Sequence, residues 1–370
     1  MDKNKIQNYP VVDKEEDADA CAWIFTSKHS FKKQFIKLPD LKSNEIRARV
    51  LYTSVCHTDT AMGRGEWGDV PYPFCPGHEV VAKVMCKGTA VDNLEVGDVI
   101  GMPIFPRGCE TCRFCKIDWQ HACENLPFEE RFIHYYRYGG FATHIQQPAK
   151  YCVKIPQGID IKNAPPLMCA GITVYTPMSL VIKPDDKVAI LGFGGLGHLA
   201  LQFAKVMAKE VTVITHTEDK VEDIKALKAD HVILEDDFVK NTPDFEFDVI
   251  IHTLPIWPKK EIVRKWLDSL NYFGRLVVLG VNGKNEHMEI DASALALKSN
   301  VVVSSCAGGK AHLTEMLDFC VKHKIECVTE HYDFDDFDKA LERIEKEHPK
   351  YRSVIDAEPA ALRLEAKMKA

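Results

Sequence analysis

Residues 187–197 read KVAILGFGGLG, and this stretch decides the fold of the second half of the chain. Its first five residues predict a buried strand, and the loop that follows has the pattern G-x-G-x-x-G, with Gly192, Gly194, Gly195, Leu196 and Gly197. In such a loop the first glycine permits a tight turn, the second lets the backbone approach a pyrophosphate, and the third lets a helix pack on the strand. The amides of that helix would then face the phosphates. The stretch predicts a dinucleotide site; the alternative is a tight turn in an α/β domain that binds no nucleotide.

Downstream of this loop the chain contains further apolar segments of strand length, separated by helical or loop segments. They are residues 211–215, 231–234, 247–254, 274–280 and 300–305. Counted with the first strand, six buried strands joined by crossovers predict a doubly wound parallel sheet, so the fold class is α/β.

The first half of the chain has a different pattern. Between residues 45 and 155, Gly and Pro divide the sequence into short β-branched stretches, which is typical of a barrel of short strands with long loops. After Cys306, two amphipathic helices and the strand YRSVID are predicted to return to this first domain, and residues 359–370 to form an exposed helical tail. We expect a first domain of residues 1–165, completed by 308–370, and a dinucleotide-binding domain of residues 166–307.

Composition limits the class of protein. A chain of 370 residues with 46% apolar and 27% charged residues predicts a soluble protein of two domains. The formal net charge of -7 argues against nucleic acid or an anionic membrane as a partner, and no apolar run is long enough to span a bilayer. The 13 cysteines, with an N-terminal segment that lacks a signal-peptide pattern, predict reduced thiols, metal ligands and a cytoplasmic location.

Four cysteines form the run C-x-x-C-x-x-C-x7-C: Cys109, Cys112, Cys115 and Cys123. They lie too close in sequence for three of them to find disulfide partners at good geometry, whereas tetrahedral zinc accepts four thiolates at this spacing. The run therefore predicts a closed, structural zinc site rather than scattered core cysteines. Because a closed site does no chemistry, a catalytic zinc would need a second, open site.

Candidates for the open site each lie at a predicted strand end or loop: Cys56 in S-V-C-H-T-D, His78 in P-G-H-E-V and Cys169 in L-M-C-A-G. A lone Cys or His is more often part of a core than a ligand, but the local contexts favour ligands here. Asp59 could accept the second ring N–H of His78, as is common behind zinc ligands. Glu79 could be an occasional fourth ligand or a hydrogen-bonding neighbour of the ligands, and Thr58 could place its hydroxyl near an oxygen bound to the metal.

The end of the second predicted strand indicates which dinucleotide binds. An Asp or Glu there would accept from a ribose 2′-OH and repel a 2′-phosphate. The sequence has instead Thr215, His216 and Thr217, with Lys220 one turn later, and hydroxyls with a cation suit a phosphate. We therefore expect NADP. The acidic pair at 218–219 is the one feature that argues for NAD instead, since either carboxylate could swing toward the ribose.

Together these motifs resemble the zinc-dependent medium-chain alcohol dehydrogenases. The resemblance runs from Glu45 to Asp356 and includes C-H-T-D, G-H-E, the four-cysteine run and L-M-C-A-G-I-T-V-Y. G-G-L-G-H, V-T-V-I-T without a following acid, and Y-R-S-V-I-D are most similar to the cinnamyl alcohol dehydrogenase branch. The resemblance implies a GroES-like β-barrel catalytic domain with a Rossmann domain. It also implies one catalytic and one structural zinc, and NADP(H)-dependent interconversion of primary alcohols and aldehydes, usually by a homodimer. With NADPH as the cofactor, we expect aldehyde reduction to dominate in the cell.

The resemblance implies roles for individual residues of the first domain. The catalytic zinc would be held by Cys56, His78 and Cys169, with Glu79 alongside. Thr58 would pass a proton between the substrate oxygen and the cofactor ribose, and His57 would lie near the pyrophosphate. Many relatives carry a histidine five residues after the first zinc cysteine, where this chain has Ala61. The proton relay must then end in water or in another group, for which His57 is a candidate.

Cofactor and substrate contacts are implied in the same way. Thr173 would lie under the nicotinamide, and the 2′-phosphate would be surrounded by Thr215, His216, Thr217 and Lys220. By position, Trp67 and Phe128 would be walls of the substrate pocket, unless they are ordinary core aromatics. Two alternatives stay open. One is a zinc-dependent polyol dehydrogenase, whose usual preference for NAD does not fit the absence of an acid directly after the second predicted strand. The other is a non-catalytic NADPH-binding protein on the same fold.

Overall fold

The structure, a computed structural model, describes residues 10–66, 72–133, 138–280, 287–346 and 349–368, without the side chains of residues 128, 129 and 243. Two compact units divide the chain, one of Met1–Cys169 with Gly308–Ala370 and the other of Ala170–Ala307. Within the described ranges, no helix combines the length and the apolar character needed to cross a bilayer.

The described residues form sixteen strands and eleven α-helices, together with short 3₁₀ turns. The strands are β1 Val11–Val12, β2 Ala20–Ser27, β3 Ser30–Ile36, β4 Glu45–Val55, β5 Val80–Lys87, β6 Val99–Met102, β7 His144–Pro148, β8 Val153–Lys154, β9 Lys187–Leu191, β10 Glu210–Thr215, β11 His231–Leu234, β12 Phe247–His252, β13 Leu270–Val278, β14 Val301–Ser304, β15 Thr329–Asp333 and β16 Arg352–Asp356. The α-helices are α1 His57–Gly63, α2 Phe128–Arg131, α3 Ala170–Val181, α4 Gly197–Met207, α5 Val221–Ala226, α6 Glu235–Lys240, α7 Lys260–Ser269, α8 Ala292–Lys298, α9 Lys310–His323, α10 Phe337–Lys346 and α11 Glu358–Met368.

The first unit is built mainly from short strands, as its Gly- and Pro-rich sequence predicts. Its larger sheet has the order β15-β16-β4-β5-β6-β8, and β7 also pairs with β4. The long strand β4 shifts register twice against β5, at Arg47/Ala48 and at Val50/Tyr52, and such irregularities bend a sheet. A second, antiparallel sheet of order β1-β3-β2 was not predicted, because lysines interrupt the apolar pattern of β3.

The C-terminal helix α11 is packed against the first unit and is not the predicted exposed tail. Ala361 and Leu364, three residues apart on one face, are buried in the core of the first unit. Glu365 accepts two hydrogen bonds of 2.6 Å from the guanidinium of Arg49, and its carboxylate lies 3.0 Å from His144 Nε2. Burial alone would raise the pKa of Glu365, but these hydrogen bonds lower it below its usual value, while burial lowers the pKa of His144.

The second unit contains one six-stranded sheet of order β11-β10-β9-β12-β13-β14. All of its strand pairs are parallel, which confirms the predicted doubly wound sheet. The chain moves outward from β9 to β11 and then returns to β12 on the other side of β9. Ligands of such sheets bind at the carboxyl ends of the strands beside this reversal, and the glycine loop follows β9 there.

Candidate functional site

Four side chains of the first unit bring their possible ligand atoms within 4.8 Å of one another: Cys56, His78, Glu79 and Cys169. The antiparallel pairing of β4 with β5 explains part of this meeting, because Thr53 lies opposite Val80 and the chain continues into Cys56 at one end and back to His78 at the other. Cys169 follows a 3₁₀ turn at Pro165–Met168. Two thiols, an imidazole and a carboxylate are a donor set that suits zinc.

Asp59 joins two members of this cluster through hydrogen bonds. Its Oδ1 lies 2.9 Å from His78 Nδ1 and accepts from the backbone N–H of Gly77 at 2.9 Å. Its Oδ2 accepts from the backbone N–H of Cys56 at 3.0 Å. The carboxylate is fully buried, so it fixes both the orientation of the imidazole and the backbone at the first cysteine.

The hydrogen-bond pattern determines which atoms face a metal. Because Asp59 engages Nδ1 of His78, the other ring nitrogen, Nε2, is turned to the thiols and lies 3.2 Å from Cys169 Sγ. Burial would lower the pKa of His78, but Asp59 and Cys56 raise it well above its usual value. The hydrogen bond between the two thiols lowers the pKa of Cys56 and raises that of Cys169.

Glu79 is held by two further buried groups that sequence analysis missed. Its carboxylate accepts hydrogen bonds from the Ser54 hydroxyl and from the Arg352 guanidinium, with which it forms an ion pair. Burial raises the pKa of Glu79, and Arg352 opposes that rise. The available signal was an arginine inside the apolar strand YRSVID, since a buried cation needs an anionic partner.

The four cysteines of the run Cys109, Cys112, Cys115 and Cys123 also bring their sulfurs within 4.8 Å of one another. The backbone N–H of Cys112 donates to Cys109 Sγ at 3.2 Å, and that of Cys115 donates to Cys112 Sγ at 3.5 Å. A hydrogen bond from Thr111 helps to lower the pKa of Cys109 to about 5, whereas burial raises the pKa of Cys115 to about 12. None of the 13 cysteines is in a disulfide. Donors aimed at sulfur fit a closed four-thiolate zinc site.

In the second unit the glycine loop has the features that a dinucleotide loop requires. Gly192 has a φ of +91°, and a Cβ there would lie 2.4 Å from Leu254 Cδ2. A Cβ on Gly197 would lie 2.2 Å from the carbonyl oxygen of Gly192, so helix and turn pack too closely for any side chain. Around Gly194 there is open space, with no atom within 4 Å of an added Cβ. Gly195 and Leu196 complete the turn before α4. The loop thus leaves room for a pyrophosphate at the second glycine.

The residues predicted around a 2′-phosphate lie at the carboxyl end of β10. Thr215 ends the strand, His216 and Thr217 are exposed, and Lys220 is the last residue of a 3₁₀ turn at Glu218–Lys220. The structure adds one residue that sequence analysis missed: Glu235, whose Oε2 lies 3.0 Å from His216 Nδ1. No signal near residue 215 could reveal it, because it follows the neighbouring strand β11.

The remaining predicted site residues lie on helices outside the two metal clusters and the glycine loop, or outside the described residues. His57 is exposed and Thr58 half-buried on the first turn of α1, while Ala61 is completely buried in the same helix. Thr173 is half-buried on α3 in the second unit. Trp67 lies outside the described residues, and of Phe128 only the backbone, at the start of α2, is described. The buried Ala61 offers no proton acceptor of its own, so a relay cannot end on this side chain.

Comparison with known proteins places these sites in context. Residues 42–157 match the model of the alcohol dehydrogenase GroES-like domain, and residues 195–322 match that of zinc-binding dehydrogenases. An aldehyde reductase of Synechocystis sp. is 35% identical over 85% of this chain and 92% of its own length. A probable cinnamyl alcohol dehydrogenase of Arabidopsis thaliana is 32% identical over 93% of this chain and 96% of its own length.

A solved structure agrees with these sequence matches. The structure of CAD from Helicobacter pylori complexed with NADP(H) has a TM-score of 0.82 and 28% identity, and the match covers 91% of this chain and 98% of that chain. The GroES-like and Rossmann folds implied by the sequence resemblance are thereby confirmed.

Proposed function

This chain belongs to the zinc-dependent alcohol dehydrogenase family, and from that premise we propose that it interconverts primary alcohols and aldehydes with NADP(H). The observation that carries the proposal is the buried cluster of Cys56, His78 and Cys169. A closed zinc site would use four committed ligands, but here the fourth group, Glu79, is already paired with Arg352. Three committed ligands leave one position for a substrate oxygen.

Residues around the cluster have separate tasks in this reaction. Zinc held by the cluster would act as a Lewis acid toward the substrate oxygen, and NADP(H) would carry the hydride. Asp59 keeps the proton of His78 on Nδ1, so that Nε2 offers its lone pair. Arg352 balances the negative charge of Glu79 in the protein interior.

We assign the proton transfer to Thr58. It lies on the first turn of α1, two residues after Cys56, and is partly accessible. Thr58→Ala should lower the rate by about 10²–10⁴-fold, the usual contribution of a positioned proton-transfer group, whereas Thr58→Ser should be mild because the hydroxyl is kept. Near-normal alcohol oxidation by Thr58→Ala would show that the proton leaves by another route.

A preference for NADPH over NADH is proposed from the chemistry at the end of β10. The Thr217 hydroxyl and the Lys220 ammonium offer a donor and a cation for a 2′-phosphate, whereas Thr215 is buried and its hydroxyl donates to the Thr217 carbonyl. Lys220→Ala should remove one charge-assisted hydrogen bond to NADPH, which contributes about 1.5–3 kcal/mol of binding free energy, or less if the bond is fully exposed. The KM for NADPH should rise by the corresponding factor. The KM for NADH should barely change. Equal use of both cofactors by the unmodified protein would contradict the preference.

Two zinc ions per chain are proposed from the two clusters. Metal analysis of protein purified without chelators should give two equivalents, and one or none would refute the two-site proposal. Cys112→Ser should remove one equivalent and lower the thermal stability, because structural zinc contributes directly to folding. A single equivalent in the unmodified protein would instead fit the non-catalytic alternative.

A homodimer is proposed from the free edge of the second unit. β14 is the last strand of the six-stranded sheet, and an unpaired edge strand invites pairing with another chain. Large apolar side chains are exposed along this edge and on its neighbours: Tyr272 by 70%, Phe273 by 71%, Leu297 by 76% and Val301 by 49%. Light scattering after gel filtration should give twice the chain mass, and Val301→Lys should yield the monomer. If the unmodified protein were a monomer, the proposed homodimer would be wrong.

The substrate class is best tested with a panel of aldehydes and alcohols. Primary aldehydes with NADPH should react fastest. Faster reaction of sugar alcohols with NAD would instead support the alternative of a polyol dehydrogenase. We propose a cytoplasmic location, because the two cysteine-containing clusters can hold a metal only where thiols stay reduced. Cell fractionation tests that location.

A further inference from the structure

We propose that Glu235 is a specificity-determining residue at the ribose end of the dinucleotide site, where its carboxylate weakens the preference for a 2′-phosphate. The inference rests on the proposed function, because it concerns how the same site distinguishes NADPH from NADH. It adds a residue that neither the glycine loop nor the end of β10 contains.

Strand pairing brings Glu235 to this point. β10 and β11 are parallel, and Thr215 lies opposite Leu234. The next residue of each strand, His216 and Glu235, therefore leaves the sheet at the same carboxyl edge. There Glu235 Oε2 lies 3.0 Å from His216 Nδ1. The acid that is absent after β10 is thus supplied by the strand beside it.

A carboxylate at this position acts on a 2′-phosphate in two ways. It places a negative charge beside a side chain predicted to face the phosphate, and it engages Nδ1 of His216, so that only Nε2 is left for a phosphate oxygen. The side chains of His216 and Glu235 are 82% and 35% exposed, so water and salt screen the repulsion and keep it moderate. Lys220 acts in the opposite direction as a cation.

The same carboxylate suits NADH. A ribose 2′-OH is a hydrogen-bond donor, and an acid at the carboxyl edge of the second strand commonly accepts from it in NAD-binding sheets. Glu235 can serve as that acceptor from the third strand, if it exchanges His216 for the hydroxyl. The net preference for NADPH is then a balance between the cation Lys220 and the carboxylates near it, which include Glu235 as well as Glu218 and Asp219.

The test compares two variants, each of which removes one negative charge from α6. Glu235→Gln keeps the size and the hydrogen-bonding capacity of the side chain, and Asp236→Asn neutralises the exposed next residue of the same helix. The Kd values of NADPH and NADH are measured by calorimetry at about 0.1 M salt, where screening is moderate. We expect Glu235→Gln to tighten NADPH by about 3- to 10-fold and to leave NADH unchanged or slightly weaker. Asp236→Asn should change the ratio of the two Kd values by less than about 2-fold.

Three outcomes would overturn the inference: an unchanged ratio in Glu235→Gln, the same shift in both variants, or weaker NADPH binding in Glu235→Gln. The last would mean that Glu235 orients His216 toward the phosphate. The unmodified protein tests the proposed function separately. If it prefers NADH, the proposed NADP preference is wrong, while the shift in Glu235→Gln still decides the role of Glu235.

Discussion

Asp59→Asn is expected to weaken the binding of one zinc ion and to leave the other unaffected. The carboxylate serves three donors: His78 Nδ1 and the Gly77 N–H at Oδ1, both at 2.9 Å, and the Cys56 N–H at Oδ2, at 3.0 Å. An asparagine has only one oxygen. If that oxygen keeps the two partners of Oδ1, its NH₂ group faces the N–H of Cys56, and two donors then oppose each other in a fully buried place.

The size of the effect follows from these contacts. One charge-assisted hydrogen bond is lost, which costs about 1.5–3 kcal/mol, and the remaining two weaken because the negative charge is gone. Replacement of the group behind a metal-ligating histidine costs about 10–100-fold in metal affinity, which agrees with that figure. The four-cysteine site makes no contact with Asp59 in the hydrogen bonds described for it, so its zinc should be retained.

Chelator competition measures this difference directly. The zinc-loaded protein is titrated with a chelator of known affinity, and released zinc and remaining activity are followed together. In Asp59→Asn, one equivalent should leave at about 10–100-fold lower free chelator, and activity should fall with it. Glu66→Gln, which removes an exposed charge just after the same helix, is the matched control and should behave like the unmodified protein. Unchanged release of both zinc ions from Asp59→Asn would refute the reasoning.

Three further expectations concern the same unit. Cys169→Ser should lower turnover by at least about 100-fold with the fold intact, as circular dichroism would show, because a soft ligand of the open site is lost. Arg352→Met should lower the free energy of unfolding by about 3–5 kcal/mol, since it leaves the buried carboxylate of Glu79 without its cation, and adding Glu79→Gln should recover part of that loss. The lowered pKa values of Glu365 and His144 mean that the unfolded chain binds more protons. The stability they contribute is therefore complete above about pH 6.5 and lost as pH falls through their folded-state values. The protection factors of the α11 amides, which correct for the pH dependence of exchange in an unstructured chain, should therefore fall in acid, and fall less in Glu365→Gln.

Patterns that are local in sequence were sufficient for much of this protein. The loop at 192–197 could be predicted from its own glycines, since the positive φ of Gly192, the open space at Gly194 and the contact of Gly197 with the turn are local, although Leu254 also packs against Gly192. The four-cysteine run behaves in the same way, because its sulfurs are brought together by one short loop. The six parallel strands followed from apolar runs of strand length, because strands buried on both faces contain few polar residues.

Where local patterns were ambiguous, the prediction failed or stayed open. Residues 359–370 were expected to be an exposed tail, although the spacing of Ala361 and Leu364 places them on one helical face that packs against the core. Two adjacent lysines, Lys32 and Lys33, interrupt the apolar pattern of β3, so the strand was not predicted. In both cases the side chains are compatible with two environments, and packing against distant residues selects one of them.

The sequence by itself determined the four-cysteine cluster and the glycine loop, because each depends on spacing within a short segment, and the α/β class, because it depends on apolar runs of strand length. The ligands of the other cluster lie in three separate segments, and their local motifs, through the family resemblance, indicated which residues they are. Only the tertiary structure decided which distant groups meet: Arg352 with Glu79, and Glu235 with His216. Each pair joins residues in or beside different strands, so strand order and register, rather than distance along the chain, set their contact. A charge in a single sequence does not reveal its partner until the sheet has brought the two together.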